Sequence, residues 1–314
     1  MSQTVPPRSG PTIDEPRGES VAVVWTRGQQ CRSLAQVLGG PHASQVGSDL
    51  VASCIEARAD MLVTRRLTSF NLCSLVVPHG FAPSTTTSVV AAVGNGPHSL
   101  FAAVVAQRLS TQLGVPSRAI YGYEYDSEYP QALDTLDSIA GEVPGLETAP
   151  IRAPSPAEMV EDLTEGTLLV VGAPGGSWFQ RQFFGPGVRI QAKAPNGAIV
   201  VRHAPKCVYQ VMEDPVAFGP HMGAADAAQL ADGQPIIVAE HGKLLGLVPR
   251  PVLLEAGATQ KLEAIMGEPV FLYADESLDH ARDLVRHRDG VAIPVLDSQE
   301  LIIGAVTADV LQSG

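Results

Sequence analysis

Glycine-rich segments are the first residues of this chain whose type and spacing could bind a ligand. Gly172, Gly175, Gly176 and Gly185 lie in the segment VVGAPGGSWFQRQFFGPG, at the end of the apolar run LLVV. A glycine-rich turn after a parallel strand lets backbone N–H groups approach a phosphate, because no Cβ obstructs them. The segment therefore predicts a phosphate-binding loop that uses the backbone.

A second glycine-containing turn, Gly94-Asn95-Gly96, follows the apolar run SVVAAV and precedes the helical pattern SLFAAVVAQRLSTQLG. A turn at the carboxyl end of a strand lies at the edge where parallel sheets bind ligands. We therefore include Gly94, Asn95 and Gly96 among the candidate ligand-binding residues.

Catalytic and metal-binding groups have no useful spacing in this sequence. GAPGGSWF lacks the Lys-Ser/Thr ending of a P-loop, and no GxSxG motif surrounds Ser177. The eight histidines form no HxxxH or HxH pair, and the four cysteines form no CxxC pair. We predict no catalytic residue, no metal site and four buried thiols. The rival interpretation is an enzyme whose acid and base groups converge from distant segments.

Charge and hydropathy exclude several classes of partner. The chain of 314 residues has 33 acidic and 21 basic residues, a net charge of -12, which repels nucleic acid. Its apolar runs are shorter than the roughly 18–20 residues that cross a bilayer, so we predict no membrane insertion. Residues 1–19 are rich in Pro, Gly, Ser and charge, with no apolar core for a secretion signal, which predicts a disordered tail on a cytoplasmic protein.

The elements that would position these candidate residues fall into three segments. Residues 20–80 predict a small α/β segment of unknown family, too short for a complete doubly wound domain, whose sheet edge packs against the next segment of the chain. After the linker FAPSTTT, residues 85–204 alternate strands with helices, which predicts a parallel sheet with right-handed crossovers. Residues 205–314 contain an internal repeat: QVMEDPVAF recurs as AIMGEPVFL, and QPIIVAEHGKLLGLV recurs as IPVLDSQELIIGAV.

The repeated unit of strand, helix, two strands and helix, about 55 residues per copy, resembles a tandem pair of CBS domains from about Cys207 to Leu311. The resemblance implies a regulatory module that holds an adenosine ligand between its copies, through a Thr and an Asp three positions later. The second copy has Thr307 and Asp309, with the Asp one position early, whereas the first copy has Pro249 in place of the Thr. A purely structural dimerisation module is the alternative.

Residues 88–203 resemble a universal stress protein, on the spacing of Gly172, two residues, Gly175, nine residues and Gly185. The resemblance implies a Rossmann-like parallel sheet and an ATP-type ligand on the glycine loop. Two positions depart from the family pattern: Pro186 follows the third glycine where the family has Ser or Thr, and Gly94 replaces an Asp after the first strand. The alternative is that these glycines only shape turns.

Together these patterns predict an α/β protein with a Rossmann-like domain, an extra N-terminal α/β segment and a C-terminal α+β CBS pair. The predicted function is a sensor of an adenine nucleotide, ATP or AMP, that signals to an unknown protein partner. The alternatives are a nucleotide-using enzyme with a site split between the N-terminal segment and the middle domain, and a ligand-free scaffold. We also predict a homodimer, formed by the CBS pair and by the terminal strand AIVVRH at Ala198–His203.

The missing P-loop lysine and Mg²⁺ ligands predict that the chain does not hydrolyse nucleotides. Phosphate release from ATP in the presence of Mg²⁺ should equal that of a protein-free blank. Turnover well above the blank that a single substitution abolishes would contradict this prediction.

Overall fold

The computed structural model describes residues 21–173, 194–231, 236–257, 259–286 and 292–313. The chain forms two compact units, with the boundary between Ala204 and Pro205. The predicted tail, residues 1–19, and the candidate residues Gly175, Gly176 and Gly185 lie outside the described residues.

The N-terminal unit contains one nine-stranded sheet. Its strands are β1 Val23–Trp25, β2 Ala43–Gln45, β3 Met61–Val63, β4 Ser74–His79, β5 Ser88–Ala92, β6 Ser117–Tyr123, β7 Glu147–Arg152, β8 Thr167–Gly172 and β9 Ala198–Arg202. The described α-helices are α1 Gln29–Gly39, α2 Leu50–Glu56, α3 Pro97–Leu113, α4 Tyr129–Glu142 and α5 Pro156–Glu161.

The sheet consists of two parallel half-sheets that join edge to edge, with their strands running in opposite directions. The strand order is β2-β1-β3-β4-β9-β8-β5-β6-β7. Strands β1 to β4 run parallel to one another and form the N-terminal half-sheet; strands β5 to β9 also run parallel and form the central half-sheet. The two halves join through antiparallel pairing of β4 with β9, with Val77 opposite Val200. The segments 20–80 and 85–204 therefore share one sheet.

The two half-sheets have related topology. Counted outward from the junction, the N-terminal half-sheet has the order β4-β3-β1-β2, and the central half-sheet has β9-β8-β5-β6-β7. In both halves the last strand along the chain lies at the junction and the first strand lies third from it. The N-terminal half-sheet thus repeats the central one without its outermost strand.

Alternating burial explains how helices cover both faces of this sheet. Along β8, Val170 packs in the core cluster that contains residues of α1, α3 and α4, and Val171 packs in the cluster of α5. Successive residues of a strand point to opposite faces, so a run of apolar residues is buried on both. The helices α1 and α3, one from each half-sheet, lie on the same face and contact each other.

Strand β9 has a neighbour along each edge. It pairs with β8 in parallel and with β4 in the antiparallel direction. The prediction that Ala198–His203 forms a dimer contact was therefore wrong, because Ser74–His79 of the same chain already occupies that edge. In β4 the backbone groups of Val76 point toward β3, and those of residue 78, two positions later, point the same way. Because β3 ends before it reaches this position, the missing N–H of Pro78 removes no hydrogen bond of the sheet.

The start of β9 is held against the linker that connects the half-sheets. The Asn196 side chain donates to Thr86 Oγ1 at 2.7 Å and accepts from Thr85 Oγ1 at 2.5 Å. Gly197 has φ +84°, and a Cβ on it would lie 2.6 Å from the Gly80 carbonyl. This close backbone approach requires glycine.

The C-terminal unit contains two three-stranded sheets of the same topology. The strands are β10 Ala217–Phe218, β11 Ile236–Glu240 and β12 Lys243–Val248 in the first copy, and β13 Leu272–Tyr273, β14 Ile293–Leu296 and β15 Ile302–Val306 in the second. In each sheet the first two strands are parallel and the last two antiparallel. The described helices are α6 Ala224–Leu230, α7 Arg250–Glu255, α8 Leu278–Arg286 and α9 Ala308–Ser313.

The two copies interlock through exchanged contacts. A Cβ on Gly304 of β15 would overlap the sulfur of Met212, and one on Gly246 of β12 would lie 3.0 Å from the sulfur of Met266. Each copy thus places a methionine over a glycine of the other copy. These methionines occupy the same position in the repeated segments QVMEDP and AIMGEP.

Backbone bridges follow the same exchange. Glu213 pairs with Ala305 of the second copy, and Gly267 of the second copy pairs with Leu247 of the first. A further bridge joins Lys243 to Leu301, which lie at the start of the second strand in the two equivalent hairpins. The copies therefore complete each other's sheets, and we infer that they fold together.

Glycine at the exchanged contact should be required for the stability of the C-terminal unit. A Cβ on Gly246 would lie 2.7 Å from the carbonyl oxygen of Gly267, so we expect Gly246→Ala to lower the free energy of unfolding by about 1–3 kcal/mol. Urea denaturation measures this change. The control is Gly219→Ala, where an added Cβ meets no atom within 4 Å; equal stability of the two variants would contradict the prediction.

Candidate functional site

A cavity of about 390 Å³ opens at the carboxyl end of β5. It lies between the turn Gly94-Asn95-Gly96, the start of α3 and one side of α4. The lining residues are Gly94, Asn95, Gly96, Leu100, Gln131, Asp134, Thr135, Ser138, Ile139 and Glu142. The three candidate residues of this turn therefore all face one cavity.

The turn is shaped by local hydrogen bonds and by one glycine. The Gly94 N–H donates to Oγ of Ser99, a side chain that is almost fully buried in α3. Gly96 precedes α3 with φ +107°, although an added Cβ would meet nothing within 4 Å. Conformation rather than space therefore favours glycine at this position. Asn95 reaches α4, where its Oδ1 accepts from Thr135 Oγ1 at 2.9 Å.

The charges on the cavity wall decide which ligand groups it can hold. Its lining contains two carboxylates, Asp134 and Glu142, and no lysine, arginine or histidine. A phosphate placed there would face negative charge without a cation, which costs free energy. Hydroxyl and amino groups, in contrast, can donate to carboxylate and amide oxygens. The cavity suits the sugar or amino part of a ligand better than its phosphates.

Gly172 lies at the end of β8, next to β5 in the sheet, but does not line this cavity. Its own pairing partner is Val201 of β9. The predicted partners of Gly172 in the glycine loop, Gly175, Gly176 and Gly185, are not among the described residues, so the structure does not show the loop itself.

A histidine pair at the same sheet edge was not found from the sequence. His98, in the first turn of α3, accepts the His203 N–H on Nδ1 at 3.2 Å. The ring of Phe101 packs edge-on against His203, with centroids 5.8 Å apart. Burial, and then the charge of Arg202, lowers the pKa of His98. The two histidines are 105 residues apart, so no spacing motif could reveal them.

Arg202 ties the two half-sheets together beside this pair. Its guanidinium donates to the carbonyl oxygens of Thr68 and Phe70, which belong to the segment between β3 and β4. Arg202 itself lies in the junction, where it pairs with Leu75 of β4. We therefore regard Arg202 as a structural residue of the junction.

The candidate residues of the CBS-like unit lie at the start of α9. Thr307 directly follows β15, and its hydroxyl accepts the Val310 N–H at 3.4 Å. Asp309 lies in the first turn of α9, is exposed and makes no ion pair with a described residue. In the first copy Pro249 occupies the equivalent place before α7 and offers no hydroxyl. The two positions are therefore equivalent in the fold, but only the second copy offers a hydroxyl group.

The described part of the chain holds no group of three or more His, Cys, Asp or Glu side chains that could bind a metal ion. All four cysteines are buried and free, as predicted. Burial raises the pKa of Cys207 to about 11, which keeps its thiol protonated near neutral pH. In this same part of the chain, no helix is both long and apolar enough to cross a membrane.

Comparison with known proteins identifies one domain family. The CBS domain model matches residues 262–311, the second copy of the repeat. Together with the matching topology of the first copy, this match shows that the chain has a C-terminal CBS pair in addition to the large, mostly parallel sheet. The match covers the second copy alone and leaves the family of the N-terminal unit open.

Individual relatives match only part of the chain. Homoserine O-acetyltransferase of Methanosarcina acetivorans is 34% identical over 76 residues, which are 23% of this chain and 14% of that protein. A solved cytosolic domain of a Mg²⁺ channel in complex with ATP is 20% identical, covering 34% of this chain and 47% of that chain, with a TM-score of 0.32. This chain thus spans less than half of either protein.

Another solved structure is a CBS domain pair in complex with 5′-methylthioadenosine and S-adenosyl-L-methionine. It is 21% identical and covers 34% of this chain and 94% of that chain, with a TM-score of 0.31.

The lowered pKa of His98 predicts acid sensitivity. A histidine whose pKa is depressed by folding stays neutral in the native state where the unfolded chain takes up a proton. Its contribution to the free energy of unfolding is therefore complete above about pH 6.5 and is lost as the pH falls. We expect the free energy of unfolding to fall as the pH drops below about 6.5, and to fall less in His98→Gln, whose amide can still accept from His203 but does not titrate. Burial also lowers the pKa of His79, so part of the decline should remain.

Chemical denaturation at several pH values measures this effect. The control is His42→Gln, because His42 is exposed. A pH profile of His98→Gln that coincides with that of His42→Gln would contradict the assignment.

Proposed function

We propose that this chain is a regulatory protein that binds an adenine nucleotide, ATP or AMP, in its CBS pair and signals binding to a protein partner. The observation that carries the proposal is the CBS domain match at residues 262–311, on a unit whose two copies interlock. The CBS resemblance supplies the ligand class. The function is binding rather than catalysis.

Thr307 and Asp309 are the proposed ligand groups of the second copy. The Thr307 hydroxyl is partly exposed and has donor capacity left, because its described hydrogen bond uses it as an acceptor. The exposed Asp309 carboxylate can accept from ribose hydroxyls. Since Pro249 provides neither group in the first copy, we propose one nucleotide per CBS pair.

The exchanged contacts offer a route from ligand to conformation. Thr307 follows β15 directly, and the same strand carries Ala305, which pairs with Glu213 of the first copy. A ligand that orders the end of β15 would therefore favour the arrangement in which the two copies complete each other's sheets. A ligand shifts such an equilibrium only by the difference between its affinities for the two states. The conformational change should therefore be larger for ligands that distinguish the two states more strongly.

The resemblance of the central half-sheet to a universal stress protein stays a proposal. What supports it is the parallel strand order β7-β6-β5-β8-β9, with Gly94-Asn95-Gly96 and Gly172 at one edge. We propose that the acidic cavity there takes the ribose or base of a nucleotide. Its phosphates would have to lie elsewhere, because the cavity wall carries Asp134 and Glu142 without a cation.

A homodimer remains a proposal, and the CBS pair is now its proposed contact. Leu230 at the end of α6 and Leu254 in α7 are 64% and 71% exposed, and these two helices contact each other. Exposed leucines on two contacting helices support association between copies. We likewise propose a cytoplasmic location and no nucleotide hydrolysis.

The proposal predicts a nucleotide-dependent rise in thermal stability. The full chain should be heated with ATP, ADP, AMP, cyclic nucleotides or S-adenosylmethionine, because a ligand of the native state adds about 2.7 kcal/mol at 100 times its Kd. Calorimetry on the best ligand should resolve one site per CBS pair, which substitutions at Thr307 and Asp309 weaken. The absence of a shift with every ligand of this panel would overturn the proposal.

Two paired variants locate the binding site. Thr307→Val with Asp309→Asn should weaken the best ligand roughly tenfold or more, because a hydrogen bond to a charged group contributes about 1.5–3 kcal/mol. Asp226→Asn is the control, since Asp226 also lies exposed in the first turn of a helix, α6, and makes the same change of charge. Equal affinity of the double variant and the control would remove Thr307 and Asp309 from the site.

A further inference from the structure

Positive charge is concentrated in the N-terminal half-sheet of this acidic protein. Residues 21–80 contain five arginines and three acidic residues, whereas the whole chain has an acidic excess of 12. Four of these arginines follow the carboxyl ends of β1 and β3 or lie in the first turn of α1. We call them the arginine edge: Arg27, Arg32, Arg65 and Arg66.

The strand register brings the arginine edge together. In the parallel pair β1 and β3, Trp25 is opposite Val63, and the pairing continues where the Thr26 N–H donates to the Val63 carbonyl at 3.0 Å. Arg27 and Arg65 thus leave neighbouring strands at equivalent positions, where backbones are about 5 Å apart. The Cδ of Arg65 lies 3.8 Å from where a Cβ on Gly28 would be, so its stem crosses the turn before α1.

The arginine edge has no carboxylate to neutralise it in the described structure. Its four side chains are exposed, and none forms an ion pair with a described residue. Three other arginines do form such pairs: Arg152 with Asp126, Arg282 with Asp279 and Arg286 with Asp283. Asp49, which follows β2, accepts instead from the N–H groups of Val51 and Ala52.

The unpaired arginines adjoin backbone donors. Helix α1 begins after Gly28 without a side-chain cap and without an acidic residue in its first turn. Its first N–H groups and the guanidinium groups thus carry positive charge on the same side. Like charges held together cost free energy unless an anion lies between them, and guanidinium forks match the oxygens of a phosphate.

We propose that the arginine edge binds the phosphate of a small phosphorylated ligand. The antiparallel junction of β4 and β9 places this edge opposite the edge that carries the acidic cavity, so the two sites are separate. The net charge of -12 disfavours an extended polyanion such as nucleic acid, whereas a mono- or diphosphate is compact enough to contact the arginines alone. This inference does not rest on the proposed function of the CBS pair.

Calorimetry with pyrophosphate on the full chain tests the site. Pyrophosphate should bind at low ionic strength, and Arg27→Gln with Arg65→Gln should weaken it at least tenfold. The control, Arg152→Gln with Arg286→Gln, changes the net charge equally at two exposed arginines outside the N-terminal half-sheet and should bind within about twofold of the unaltered chain. Thermal melts of both variants verify that they are folded.

Further ligands and variants separate the outcomes. ATP should compete with pyrophosphate and adenosine should not, whereas Thr307→Val with Asp309→Asn should leave pyrophosphate binding unchanged even if nucleotide binding to the CBS pair is lost. Three results would overturn the inference: no pyrophosphate binding by the unaltered chain, equal weakening in the control, or full affinity in folded Arg27→Gln with Arg65→Gln.

Discussion

Antiparallel pairing of β4 with β9 is the contact on which the N-terminal unit depends. Each half-sheet is parallel, and a parallel half-sheet leaves an edge strand whose backbone groups need partners. The pairing of Ser74–His79 with Ala198–Arg202 satisfies both edge strands at once and makes nine strands continuous. It also reverses the direction of one half relative to the other, so their carboxyl edges face opposite ways.

That reversal places an acidic group of residues and a basic group on opposite edges of the sheet, whereas a fully parallel sheet would place them on the same edge. The carboxyl edge of the central half-sheet carries the cavity with Asp134 and Glu142, and that of the N-terminal half-sheet carries Arg27 and Arg65. Carboxylates and guanidinium groups on one edge would pair with each other. On opposite edges, both remain available to ligands.

The C-terminal unit is held together by reciprocal contacts between its two copies. Met212 and Met266 each cover a glycine of the other copy, and Glu213 and Gly267 each extend the other copy's sheet. The two copies pack alike but need not carry the same side chains at every position, because the residues after their last strands are not buried. Pro249 and Thr307 occupy equivalent places, and this difference is what makes a single nucleotide site the natural proposal.

The sequence by itself determined the local elements and the repeat. Apolar runs such as TLLVVG predicted buried strands, and the recurrence of QVMEDP as AIMGEP revealed the two copies, because period and repetition are properties of neighbouring residues. Gly94-Asn95-Gly96 was placed at a strand end for the same reason. Only the tertiary structure decided which strand lies beside β9, because an apolar strand can pair with many edges, and the choice depends on the whole sheet. The His98–His203 hydrogen bond and the convergence of Arg27 with Arg65 likewise arise from strand order, which brings distant residues together without any local pattern.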